Sequence, residues 1–224
     1  VPLLWPDWWV EVGSLKLEND RFNFYSGDGV VKKGVFNPEA ITLSKLNLQA
    51  HSLFLKDQKA KAAIDDFSLV EGSGLELQTL KAKLEADDNK INIEGIDVQT
   101  GKSLLKGDFL ITYQSLDAFI NNPEKAGFDF QLKQFETDAS EALFFVPEYK
   151  NDIYFKELTR NGLKASGSIS GSLARLNIPA FDLSYGKLTK LKVRSARIIN
   201  ADDFERMTVN IPDFTFETKG RVIE

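Results

Sequence analysis

The stretch INIEGIDVQT, residues 91–100, decides how the chain is read. Ile91 and Ile93 put apolar side chains on one face of an extended segment, and Ile96 and Val98 do so again, displaced by one residue across Glu94-Gly95. A period of two marks a strand with one dry face and one wet face.

The same pairing recurs outward from that stretch. It is seen in Leu15 and Leu17, Phe22 and Phe24, Ile41 and Leu43, Leu46 and Leu48, Leu53 and Leu55, and Leu75 and Leu77. It continues through Leu80, Ala82 and Leu84, then Phe109, Ile111 and Tyr113, then Phe128, Phe130 and Leu132. Turn formers separate the pairs: Glu18-Asn19-Asp20, residues 26–29, Asn37-Pro38, residues 87–89, Thr100-Gly101 and Asn161-Gly162. The pattern predicts an all-β antiparallel meander, and about 16 strands at about 4.8 Å would extend roughly 77 Å.

Two short helices are expected. Ser115–Ile120, before Asn121-Asn122-Pro123, predicts a single turn near 115–122. Asp138 with Glu141 ahead of an apolar run that stops at Pro147 predicts a second over 138–146. Neither is long enough to cover a large sheet, so the dry faces must meet another sheet or each other across one curled sheet.

From Leu176 the apolar pairs fall five residues apart: Leu176 and Ile178, Phe181 and Leu183, Gly186 and Leu188, Leu191 and Val193, Ala196 and Ile198. A pentapeptide β-helix needs small side chains where Leu176, Phe181 and Leu191 stand. Successive short strands joined by bulges are the preferred reading.

Composition excludes several function classes. The chain has 224 residues, 42% hydrophobic and 27% charged, with a net charge of -5 and both signs interspersed, so no nucleic-acid partner is expected. Cysteine is absent, which removes disulfides and thiolate chemistry. The lone His51 sits in a strand pattern without a second histidine. The acidic pairs Asp65-Asp66, Asp87-Asp88 and Asp202-Asp203 look like solvated turns. No phosphate loop, nucleophile elbow or metal-ligand spacing occurs, so neither enzyme activity nor a cofactor or metal is expected.

Three tryptophans, Trp5, Trp8 and Trp9, open the chain. They could stack on sugars, anchor at a membrane interface or form an interaction patch. The expectation is that Trp8 and Trp9 cap the open end of a hydrophobic core. Phe128, Phe130, Phe135, Phe214 and Phe216 are likewise expected in a core. The first residue is Val and no apolar run is long enough to span a bilayer, so the chain is read as a piece, 1–224, of a longer polypeptide whose anchor lies elsewhere.

Read in order, Leu75-Glu76-Leu77, residues 91–100, residues 103–109, residues 137–148 and residues 167–189 resemble the repeated segments of TamB-like proteins of the AsmA-like family, the translocation and assembly module subunit, in their Bacteroidetes form. The likeness runs over about residues 8 to 216 and lies in strand patterns rather than polar motifs.

It implies an elongated antiparallel sheet curled into a U-shaped groove with an apolar interior, in a periplasmic protein anchored to the inner membrane. It also implies phospholipid transport between the membranes, assembly of outer-membrane proteins, or both, with a BamA-like (TamA-type) outer-membrane barrel as partner. The groove would be lined by Leu75, Leu77, Ile91, Ile93, Ile96, Val98, Phe109, Ile111, Phe128, Phe130, Leu176, Ile178, Phe181 and Leu183, which would guide phospholipid acyl chains. Two rivals remain at this point: a chaperone-like scaffold that holds unfolded outer-membrane proteins by strand pairing, and a secreted carbohydrate-active β protein using Trp5, Trp8, Trp9 and the acidic pairs.

Overall fold

The computed structural model describes residues 5–218 and is built on one antiparallel sheet of twelve strands. In chain order these are β1 (Val10–Tyr25), β2 (Ala40–Lys56), β3 (Lys59–Glu71), β4 (Glu76–Ala86), β5 (Lys90–Thr100), β6 (Ser103–Thr112), β7 (Gly127–Thr137), β8 (Leu163–Ser172), β9 (Arg175–Tyr185), β10 (Thr189–Ile199), β11 (Thr208–Asn210) and β12 (Asp213–Thr218). Strands β1 to β10 lie side by side in sequence order, and β11 and β12 both pair with β10. The sheet is therefore eleven strands wide, and ten spacings of about 4.8 Å give about 48 Å.

That is shorter than sixteen strands would reach, because several apolar pairs share one strand. Ile41 and Leu43, Leu46 and Leu48, and Leu53 and Leu55 all lie on β2. Glu18-Asn19-Asp20 is not a turn but an irregularity inside β1, where the register against β2 shifts and Asn19 takes φ 55°.

The one-residue displacement in residues 91–100 is a β-bulge. Ile93 stands opposite Phe109 and Ile96 opposite Gly107, so Glu94 and Gly95 together face Asp108. Gly95 takes φ 64°, a left-handed conformation that glycine adopts without steric cost. Strand β6 has no such interruption, and its Leu105, Gly107, Phe109 and Ile111 alternate strictly onto one face. The same device returns in β7 between Leu132 and Phe135. In β9 it accounts for the five-residue spacing: against β8, Ser168 stands opposite Ala180 and Ser170 opposite Asn177, so Ile178 and Pro179 together face Ile169, and β10 follows β9 in unbroken register with Ser195 at φ 57°. The spacing marks bulges within long strands, not a series of short ones. Each extra residue returns the next apolar pair to the same face and adds twist, which curls the sheet into a U-shaped trough with an apolar interior.

Among the described residues no second layer covers that interior. Packing between the described strands is dominated by hydrogen-bonded neighbours, and the sheet they form does not close on itself. Among the described residues no large side chain is fully buried, and most of the enclosed apolar residues are alanines such as Ala40, Ala50, Ala165 and Ala196.

The helices decorate the rims. Helix α1 (Leu116–Asn121) is capped by Ser115, as its sequence predicts. Over 138–146 the chain forms only a 3₁₀ turn, Ser140–Phe144: Ala139 enters at φ 63° after the Asp138 carboxylate takes the Ser140 amide, and Pro147 starts the next turn. Helix α2 (Ile153–Arg160), capped by Asp152, follows it.

Candidate functional site

Directly opposed residues of an antiparallel pair share a face, so the register writes out the trough lining row by row. One row runs Ala86, Ile91, Ile111, Phe128, Gly171, Leu176, Ile198. Beside it run Leu84, Ile93, Phe109, Phe130 and Ile169. Beyond the bulges come Ile96, Gly107, Leu132, Gly167, Phe181, Val193 and Phe214, then Leu80, Val98, Leu105, Phe135, Ala165, Leu183, Leu191 and Phe216.

Of the fourteen residues expected to line the groove, thirteen lie on strands. Leu77 stands between Leu69 and Thr100 at the edge of this face. Leu75 sits in the turn before β4, where its carbonyl accepts the Glu71 amide. Leu176 is buried and the other thirteen are half-buried, as befits side chains shielded by neighbours but not roofed.

Strand β8 supplies lining that alternation does not reveal. In Gly167-Ser168-Ile169-Ser170-Gly171 only one residue is large, yet Gly167 and Gly171 face the trough. A Cβ at Gly167 would fall 2.5 Å from the Ala180 carbonyl oxygen and 2.8 Å from the Cα of Phe181, so only glycine lets β9 approach there. Beside it Phe130, Leu132, Ile169, Ile178 and Phe181 enclose a hollow of about 210 Å³. The rings of Phe109 and Phe130 meet edge to face, 5.9 Å between centroids, along the same wall.

The opposite face is polar and held by ion pairs: Lys61 with Glu85 at 2.8 Å, Lys106 with Asp97 at 3.2 Å, Lys164 with Glu136 at 2.7 Å, and Arg194 with Asp182 at 2.8 Å. Asp108 has a distinct place among them. It accepts the Gly95 amide at 2.8 Å and pairs with Lys133 at 2.5 Å, and so ties the bulge in β5 to the bulge in β7. The Lys133 contact first, and the Gly95 amide after it, hold its carboxyl below the usual aspartate range.

Both rims are fenced. On one, Glu141 accepts the Lys102 amide at 3.0 Å, the Ser103 hydroxyl at 2.6 Å and the Thr100 hydroxyl, fixing the β7–β8 insert to the β5–β6 hairpin. On the other, one carboxylate oxygen of Asp88 accepts the Trp5 indole N–H at 3.3 Å and the Leu116 amide at 3.1 Å.

The remaining sequence candidates have structural partners. His51 pairs with Asp65 at 2.7 Å, Asp87 accepts the Asn89 and Lys90 amides, and Asp203 accepts the Glu205 amide. Trp8 and Trp9 are 61% and 64% exposed and cap no core; Trp9 lies over the Lys56 ammonium, 5.8 Å from its ring centroid. Phe214 and Phe216, expected in a core, are 62% and 59% exposed, because among the described residues β12 ends the sheet and no second layer covers it.

The fold and its apolar face define a class: a one-layer, open β-trough. Comparison with protein-family models, with curated proteins and with solved structures finds no match to this chain.

Proposed function

We propose that this chain is a non-enzymatic conduit segment in which phospholipid acyl chains move along the apolar interior of the trough. The observation that carries the proposal is a single apolar face, continuous across the sheet, half-exposed and without a second layer among the described residues. Uncovered apolar surface on this scale calls for an apolar occupant. Acyl chains gain about 0.8 kcal/mol for each methylene taken out of water, and they need no sequence-specific polar contact. Such a face supplies apolar contact along the rows that cross β4 to β10, and no charged residue stands in those rows.

The resemblance to TamB-like proteins extends the reading. It proposes a periplasmic position, with the full-length protein anchored in the inner membrane and a BamA-like barrel as its partner at the outer membrane. A second reading, a scaffold for unfolded outer-membrane proteins, is favoured by one feature: among the described residues the outer edge of β1 pairs with no strand.

Native mass spectrometry of the chain purified from a Gram-negative host tests the conduit. Phospholipid is expected to co-purify and to be lost from a folded variant carrying Asp at Ile93, Ile111 and Phe130. An Asn92→Asp control, charged on the polar face, should keep it. A folded wild-type chain that carries no lipid, or a triple variant that keeps it, would overturn the proposal.

A further inference from the structure

The edges of the sheet are not equivalent. Strand β12 offers six residues, whereas β1 offers sixteen with an edge that no described strand pairs, and its Val10, Phe22, Phe24 and Tyr25 are exposed. Long unpaired edges template pairing with another chain. Strand β1 is the first position and β12 the eleventh in an alternating antiparallel sheet, so the two run in the same direction. Joining β12 of one copy to β1 of another with the troughs aligned would make a parallel pair. Joining β1 to β1 about a two-fold axis perpendicular to the sheet keeps the ladder antiparallel and the apolar faces on one side.

The sequence of β1 is built for that second arrangement. About Leu17, Val12 and Phe22 lie five residues to either side, and Val10 and Phe24 lie seven to either side. All of these face the trough, opposite Leu53, Leu43, Leu55 and Ile41 of β2. With Leu17 on the axis, Lys16 of each copy stands opposite Glu18 of the other, Ser14 opposite Asp20, Gly13 opposite Arg21, and Glu11 opposite Asn23. No like charges oppose. One step further out, exposed Trp9 meets Tyr25 of the other copy. The irregularities at Asn19 fall on either side of the axis, so pairing is carried by the outer segments.

We infer that β1 is a self-pairing edge. Two copies of this chain join antiparallel through β1, with Leu17 at the two-fold axis, into one trough of double width. The inference is independent of what the trough carries. It gives Trp9 a partner and covers the apolar side chains that β1 leaves exposed.

The chain contains no cysteine, so Leu17→Cys introduces the sole thiol, and across an antiparallel pair it meets its own copy within disulfide reach. Under mild oxidation this variant is expected to run as a covalent dimer, while Phe214→Cys on β12 stays monomeric. Sedimentation velocity of the 224-residue chain supplies the second readout. Lys16→Glu sets two like-charge pairs across the axis and should weaken dimerisation by about tenfold or more, and Lys16→Glu with Glu18→Lys should restore it. Lys16 and Glu18 are solvent-exposed, so circular dichroism should not change. A wild-type chain that stays monomeric at every accessible concentration would overturn the inference. So would a dimer indifferent to Lys16→Glu, or one that cross-links through Phe214→Cys rather than Leu17→Cys.

Discussion

The backbone amide of Phe36 donates to the carbonyl of Phe144 at 2.7 Å, although Phe36 precedes β2 and Phe144 follows β7, with four strands between them in the sheet. The Phe36 and Phe145 rings add a tilted contact, 5.6 Å between centroids. The β1–β2 loop meets the β3–β4 hairpin where Gly34 donates to Ser73, and the insert meets the β5–β6 hairpin through Glu141. The two segments thus form one strap along the rim, joined at Phe36. Phe36→Ala should cost about 1–2 kcal/mol, less than a fully buried phenylalanine. Hydrogen exchange over residues 138–152 should rise while the central strands keep their protection; uniform loss of protection would refute a local strap.

Gly95 and Gly167 are glycines for different reasons, and substitution separates them. A Cβ at Gly95 meets no atom within 4 Å, so the constraint there is the left-handed φ alone. Gly95→Ala should cost about 1–2 kcal/mol and Gly95→Asn less, since asparagine tolerates that region. At Gly167 the obstacle is backbone of β9, and any side chain forces the strands apart. Gly167→Ala should cost about 1–3 kcal/mol and Gly167→Asn more. Urea titrations of the four variants give the order, and equal responses to asparagine at both sites would contradict this division.

The register of the sheet was largely legible in sequence, because a displaced apolar pair around Glu94-Gly95 has no other use than a bulge. The number of strands was not. Asn19, Lys45, Ser52 and Ser195 all take positive φ, and none but Asn19 belongs to a residue type that announces it. Alternation also reports which face a side chain is on, not whether anything covers that face. Phe214 and Phe216 therefore read as core and stand in the open. Helix α2 had a signal in Asp152 followed by Ile153 and Leu158, but it lay beyond Pro147, where the helical pattern looked finished.

Asp108 gives the bulges a pH dependence whose sign follows from its lowered pKa. A carboxyl whose folded pKa is depressed contributes stability above its unfolded value, here 3.8, and loses it as pH falls through the folded value. The group is partly exposed to water, so the contribution is under about 1 kcal/mol. Asp108→Asn retains an acceptor for the Gly95 amide and loses the charge facing Lys133. The variant should be slightly less stable than wild type at neutral pH, and the gap should close below about pH 4. Denaturant titrations across that range at low salt test it. A gap that persisted at the acid end would mean the side chain acts through shape and hydrogen bonding, with the Lys133 charge irrelevant.

Glu141 makes the strap's firmest attachment, with one carboxylate accepting from a backbone amide and two hydroxyls of the β5–β6 hairpin. Glu141→Gln keeps one acceptor oxygen and should cost about 1 kcal/mol. Glu141→Ala strands the Lys102 amide and leaves the Thr100 and Ser103 hydroxyls only their contacts with the Ser103 carbonyl and the Thr137 hydroxyl, and should cost about 1–3 kcal/mol. The β7–β8 insert is held at two places, by Glu141 to the β5–β6 hairpin and by Phe36 to the β1–β2 loop, and additivity tells whether they act together. If Glu141 and Phe36 hold one unit, Glu141→Ala with Phe36→Ala will cost less than the sum of the single changes, because the first release already frees the segment. Strict additivity in equilibrium unfolding would mean two separate anchors on the same rim.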